Sequence, residues 1–330
     1  MVVSVKTLML HCVSMSVRSR SAVLVSLFLL SGCDLFGGGG GGGGGTGGGG
    51  GATFTFSKGF TFVRKDDRNV YLADDADAQT TTTLTQSANV RTPSLSLDGK
   101  RVVFVRGGTM DSELATVATT GGVISTVISA TATQKNFKTP VFSPDGTKIA
   151  FGFDEGVSTA IGLVNVDGTG FQKLATGGLS QAFPSFTPDG LAVIVAAGSV
   201  GLGYTQIERI TLATNAVTNV TNTLGNEAQG ISNRLLVSPD GTKAVFDGRV
   251  SSGVTRLFTI DLTTKVVTAL YAGEPGTNDS FPCWMGNSAV GFSSDSGGND
   301  NVYKVSLPSS TSASLLVPKA IEPWYGVVTP

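Results

Sequence analysis

The sequence predicts an all-β protein: a six-bladed β-propeller whose blades are four-stranded antiparallel sheets. Three observations carry that reading. The stretch PVFSPDGTKIAF at residues 140–151 returns as LLVSPDGTKAVF at residues 235–246. Looser copies begin at Pro93, Pro184, Pro282 and Pro323, so the steps between copies run from 41 to 51 residues. Beyond residue 52 no segment carries a helical apolar period, whereas short β-branched and aromatic runs alternate with Gly-, Asp- and Asn-rich turns. A repeat in the forties holding four short strands is the signature of a propeller blade.

Within each copy the first and second strands flank a Pro-Asp-Gly turn. Proline presets the φ angle of the second turn position, Asp suits the next, and Gly accepts the left-handed conformation that closes the hairpin. The pairs Asp98-Gly99, Asp145-Gly146, Asp189-Gly190 and Asp240-Gly241 are therefore structural turns, because their spacing follows the blades. Third strands follow as ELATVA (113–118), AIGLVNV (160–166), YTQIERITL (204–212), VTRLFTIDL (254–262) and NVYKVSL (301–307), each leading through a polar turn to a short fourth strand such as FQKL (171–174). At about 45 residues per blade, residues 53–330 hold six. The first blade has NVYLAD as its third strand and needs an inner strand, for which two segments compete. PWYGVVTP, from Pro323, has the Pro-x-aromatic start of the other copies, and TFTFSKGFTFV (53–63) could form the first hairpin alone. The C-terminal segment is favoured, pairing with Phe60–Val63, because a ring closed by strands from both ends protects its seam.

The order Pro, aromatic, Ser-Pro-Asp-Gly, then an Ile-Ala-Phe-like strand resembles the WD-like repeats of TolB-type six-bladed propellers over most of residues 53–330. The resemblance implies a fold and no particular activity. TolB proper is a soluble periplasmic partner of a peptidoglycan-associated lipoprotein. The present chain departs from it in an expected lipid anchor of its own and in lacking an N-terminal α/β domain, which puts that partnership in doubt.

Residues 1–32 have the features of a lipoprotein-type signal peptide, with Met15 as an alternative start. Arg18 and Arg20 precede a short apolar core, Ala22–Leu30, too short to span a bilayer. Leu30-Ser31-Gly32-Cys33 resembles the bacterial lipobox, which makes Cys33 the expected lipid attachment site. From Cys33 to residue 52 the chain is the lipidated cysteine and a glycine tether, broken between Gly37 and Gly51 only by Thr46. Such a segment has no apolar side chains to offset ordering entropy. The expected location is the bacterial cell envelope, held to a membrane by lipid, with the choice between inner and outer membrane open. Asp34 favours the inner membrane by the rule of enteric bacteria.

Composition narrows the functions. Lys6, Arg18 and Arg20 are the basic residues of 1–32, which leaves 20 basic against 24 acidic residues beyond it, and no basic stripe with interleaved aromatics to suit nucleic acid. The one histidine, His11, lies in the segment expected to be removed, which excludes Ser-His-Asp and Cys-His catalysis and His-ligated metals. Of three cysteines, Cys12 is removed and Cys33 lipidated, so Cys283 is left as a small buried hydrophobe without a disulfide partner. No metal or cofactor is expected, since no loop matches a full calcium consensus.

The leading reading is a membrane-tethered exported binding or scaffold module for an envelope or extracellular protein or glycan, with no nucleic-acid partner and as a monomer. Candidate partner-facing loops carry Arg64, Asp66, Asp67, Arg106, Asp111, Asp154, Glu155, Asp295 and Asp300, together with the loops leading into each inner strand. The alternative is a propeller hydrolase or polysaccharide lyase using carboxylate, Tyr or Arg chemistry, for which the sequence offers scattered candidates and no motif.

Overall fold

The computed structural model describes residues 56–75, 80–221, 223–225, 228–308 and 312–327; the expected signal segment, Cys33 and the glycine tether lie outside them. Six four-stranded antiparallel sheets succeed one another along the chain. Blade 2 contains Arg91–Leu95, Arg101–Arg106, Glu113–Ala118 and Ser125–Ser129, and blade 3 Lys135–Phe142, Lys148–Glu155, Ser158–Asn165 and Gln172–Lys173. Blades 4, 5 and 6 begin with the inner strands Ser180–Phe186, Gly230–Val237 and Asp279–Trp284. Blade 1 is composite: Ile321–Val327 is its inner strand, followed outward by Lys58–Val63, Val70–Asp74 and Thr81–Thr83. Each inner strand touches those of both neighbouring blades, and Ile321–Val327 touches blades 6 and 2, so the ring is closed.

The closure expected from the sequence is the one observed. Lys58 pairs with Val327, Phe60 with Tyr325 and Val63 with Ile321. The Phe60 and Tyr325 rings meet edge-on at 5.1 Å, so backbone pairing and aromatic contact both lock the seam.

The repeated turns form as their chemistry requires. In the third blade Gly146 has φ 67° and donates its N–H to Ser143 O at 2.8 Å. Asp145 Oδ1 accepts from the Ser143 hydroxyl at 2.5 Å and the Thr147 N–H at 3.0 Å. The same pair of bonds recurs at Asp98, Asp189 and Asp240. Hydrogen bonds from Ser143, Thr187 and Ser238 hold the carboxyls of Asp145, Asp189 and Asp240 below the usual aspartate range.

The prolines of the repeat occupy a different place from the strand start that the sequence suggested. In the five blades whose inner strand holds a repeat proline, the strand begins upstream of that proline and the register slips around it: Arg91 and Ser94 face Val105 and Val103, and Ser280 and Cys283 face Ser293 and Gly291. One extra residue sits in the inner strand, a β-bulge. Proline has no N–H to give to a ladder, and a bulge is where a sheet tolerates that loss. The core lies between blades. One apolar cluster joins blades 1 and 2 through Phe104 and Leu72, and another joins blades 2 and 3 through Phe137, Phe151 and Phe153.

Candidate functional site: the channel and its funnel

Successive side chains of an extended strand alternate between its two sides, so six inner strands line one axial channel. At the end carrying the Asp-Gly turns the channel widens into a funnel of about 380 Å3. Every blade contributes, with Leu95 and Leu97, Phe142 and Pro144, Phe186 and Pro188, Val237 and Pro239, Trp284, and Trp324 with Tyr325. The turn prolines thus form a rim as well as presetting the hairpins.

Bonds between blades fix this wall. The Trp284 indole donates to Leu236 O at 2.9 Å, the Ser94 hydroxyl to Pro140 O at 2.7 Å, and Val237 N–H to Ser185 Oγ at 2.9 Å. The only titratable lining groups, among the described residues, are Cys283 and Tyr325. Burial pushes the Cys283 thiol up to about 11, and burial together with the Asp75 carboxylate pushes the Tyr325 phenol up to about 12. Both are neutral near pH 7, so the funnel is uncharged. Cys283 is 1 % exposed, which suits a packing role rather than a nucleophile.

Below the funnel lies a waist made by the residues at the bulges: Thr92, Thr139, Phe183, Arg234, Phe281 and Glu322, one from each blade. Five precede a proline and have positive φ, between 42° and 56°. Strained, non-glycine backbone at equivalent points of a ring is held by the surrounding sheet. The sixth, Arg234, precedes Leu235. There the buried Asp247 on the adjacent strand holds the bulge: its Oδ1 accepts from Asn233 N at 3.2 Å and Arg234 N at 2.8 Å.

Arg234 is 3 % exposed. Its Nη1 donates to Phe281 O at 3.2 Å and to Pro323 O at 2.5 Å, and its guanidinium lies 5.3 Å from the Trp324 ring centre. Glu322 is also buried. Burial pushes its carboxyl up, while the Thr92 N–H and the guanidiniums of Arg68, Arg234 and Arg91 pull against that. Asp247 is raised for the same first reason.

The loop residues expected to face a partner lie at the other end of the ring, in the turns between second and third strands. Asp295 and Asp300 come together with Lys65 around a cleft of about 160 Å3 between blades 6 and 1, with Lys65 bonded to Asp300 at 2.7 Å. Asp67 accepts from the Tyr71 hydroxyl, and Arg64 stacks over the same ring. Asp66 is exposed. Arg106 pairs with Glu113 at 2.6 Å, Asp111 folds back on Gly108 N–H, and Asp154 and Glu155 pair with Lys138 and Lys173. The set is spread around the circumference rather than gathered, and most members are bonded to neighbours in their own blade. The waist was missed at the sequence level. Its signal was the column immediately before the repeat's proline, where Arg234 and Glu322 stand among Thr and Phe.

No family model matches the sequence, and no curated protein does. Solved structures do. TolB from Acinetobacter baumannii is 19% identical with a TM-score of 0.65, over 83% of this chain and 67% of that one. A chain of the nidogen/laminin complex is 10% identical with a TM-score of 0.62, over 83% of this chain and 100% of that one. An oligogalacturonate lyase in complex with manganese is 19% identical with a TM-score of 0.51, over 75% of this chain and 73% of that one. These likenesses establish a six-bladed propeller of the TolB type as the fold. They do not choose among its functions, because one scaffold hosts many.

Proposed function

We propose that the chain is an exported binding module of the bacterial envelope, anchored through lipid on Cys33, whose funnel takes an apolar segment of a partner protein. The observation that carries this reading is the funnel itself: a preformed, uncharged concavity walled by aromatic, aliphatic and proline side chains from all six blades. An apolar wall with few polar groups suits peptide side chains better than a hydroxyl-covered glycan. Propellers of this fold occur in TolB and in a complex of two proteins, nidogen and laminin, which supports a protein-binding role. The loop face at the opposite end, with its ion-paired turns, is the second surface on which a partner could rest.

The test is a crosslinking pull-down of the lipidated chain from envelope membranes. Leu97 is 66% exposed at the funnel wall, so Leu97→Asp adds a charge without emptying the core. It should abolish recovery of the protein captured by wild type, whereas Lys65→Glu at the far end should retain it. Equal recovery by both variants would exclude the funnel. Separately, Cys33→Ser should abolish labelling by a clickable fatty acid, and unchanged labelling would refute the anchor.

A further inference from the structure

Chain direction fixes which loops share an end of the ring. Each inner strand runs toward the funnel and the second strand runs back, so the connections between second and third strands lie at the far end. In three consecutive blades the tips of these connections are apolar. Met110 stands between Arg101–Arg106 and Glu113–Ala118 of blade 2, and Val157 between Lys148–Glu155 and Ser158–Asn165 of blade 3. Val200 and Leu202 stand between Ala192–Gly198 and Gln206–Thr211 of blade 4. The four are between 53% and 88% exposed. Single apolar residues scattered over a surface are ordinary, but four on adjacent tips at one end are not scattered. The equivalent connections of blades 6 and 1 carry Asp295, Asp300, Lys65, Asp66 and Asp67 instead.

Bonds between blades hold the tips in place. Thr109 O, beside Met110, accepts from Asn136 N–H at 2.7 Å, and the Thr159 and Tyr204 hydroxyls meet at 2.8 Å. Tyr204 O in turn accepts from Ile231 N–H at 2.8 Å. The blade 4 connection folds so closely on itself that a Cβ at Gly198 would stand 1.8 Å from Gly203 O. The apolar arc is therefore built into the ring. Acids beside it are matched: Asp154 pairs with Lys138, Glu155 with Lys173, and Asp111 accepts from Gly108 N–H. This half of the end enters an apolar setting at less cost than the charged half does.

Whatever covers the arc must receive four protruding tips, since the arc is not a groove. A stable protein interface uses about 20–30 residues a side, far more than these. A bilayer asks for less, because apolar groups need to sink only roughly 5–10 Å into the headgroup boundary. A lipid on Cys33 supplies what four side chains lack, by holding the propeller at a high effective concentration near the membrane. The stretch from Cys33 to Phe56 reaches about 75 Å when extended, against about 27 Å for the eight-residue strands of a blade, so its length lets the far end meet the bilayer.

We propose that the arc of Met110, Val157, Val200 and Leu202 seats on a lipid bilayer, so that the funnel opens away from the membrane. This rests on the reading of Cys33 as a lipid anchor. It gives the two ends of the ring separate tasks, one resting on lipid and the other presented to a partner protein.

The test uses the acylated chain in vesicles of phosphatidylethanolamine and phosphatidylglycerol. Val157→Cys, Leu202→Cys and, at the funnel wall, Leu97→Cys are each labelled with an environment-sensitive fluorophore; Cys283 is buried and its thiol stays protonated, so it escapes labelling. Labels at positions 157 and 202 should shift to the blue and lose at least half of their emission to brominated lipids, while the label at position 97 should lose none. A Met110→Cys label should be quenched in the same way, and several-fold less once Val157→Asp and Leu202→Asp are added. Flotation with the vesicles reads the anchor separately. A chain that floats while its labels at 157 and 202 stay unquenched would overturn the bilayer contact and leave the anchor standing, whereas a chain that does not float would refute both. Equal quenching at positions 97 and 157 would also overturn the proposal. So would crosslinking of position 202 to a protein in envelope membranes without quenching by lipid.

Discussion

Deleting residues 321–330 removes the inner strand of blade 1 and tests the closure directly. Trp324 and Tyr325 are half-buried, so each loss costs about 2 kcal/mol, below the roughly 3–5 of a large aromatic taken from a sealed core. Pairing between Lys58–Val63 and Ile321–Val327 adds about 3 kcal/mol at roughly 1 per net hydrogen bond. Arg234 loses Pro323 O and the Trp324 ring, and a buried guanidinium left short of partners costs a further 3 kcal/mol or so. The total of about 10 kcal/mol rivals the whole stability of an ordinary domain, roughly 5–15 kcal/mol. Loss of the buried Glu322 carboxylate returns only part of it.

The expected outcome is a chain without a cooperative thermal transition, aggregating through the bared edge of Lys58–Val63, where Phe60 and Phe62 are otherwise fully buried. Light scattering coupled to size exclusion reads the aggregation, and a synthetic peptide of residues 319–330 added in trans should restore a monodisperse species. A truncated chain that stays monodisperse and melts within a few degrees of wild type would refute the closure energetics.

Two further outcomes are expected from the turns. Gly241 has φ 74°, and a Cβ there would stand 3.4 Å from the Pro188 side chain of the preceding blade; Gly241→Val should cost about 1–3 kcal/mol, read as a lower denaturation midpoint with unchanged slope. Asp240 is held below its ordinary value of 3.8 by hydrogen bonds from Ser238 and Thr242, so its contribution is present above 3.8 and is lost as pH falls through the native value. Asp240→Asn should accordingly melt below wild type at neutral pH, with the gap closing as pH drops below 3.8; a gap of constant size across that range would refute the linkage.

The blades were legible in the sequence because their determinants are local. Pro144-Asp145-Gly146 specifies its hairpin with bonds spanning five residues, from Ser143 to Lys148, so the same letters give the same turn wherever they stand. Closure by Ile321–Val327 was legible for a related reason, since Pro323 and Tyr325 repeat the Pro-x-aromatic pattern already met in other copies. The waist was not legible in this way. Whether Thr92 faces a void depends on Arg234, 142 positions away, and no local rule relates them. What does relate them is the ring, which turns one column of the repeat into six neighbours around an axis. In that column Thr92 and Thr139 read as ordinary strand residues and Arg234 as an exposed strand arginine, because the copy at Leu235 lacks the proline that marks the others. On the adjacent strand Asp247 accepts from the N–H groups of Asn233 and Arg234 and fixes the bulge that turns Arg234 inward. Blade 5, which departs from the repeat, brings buried Arg234 and Asp247 to the waist on two paired strands, opposite the buried Glu322 of blade 1.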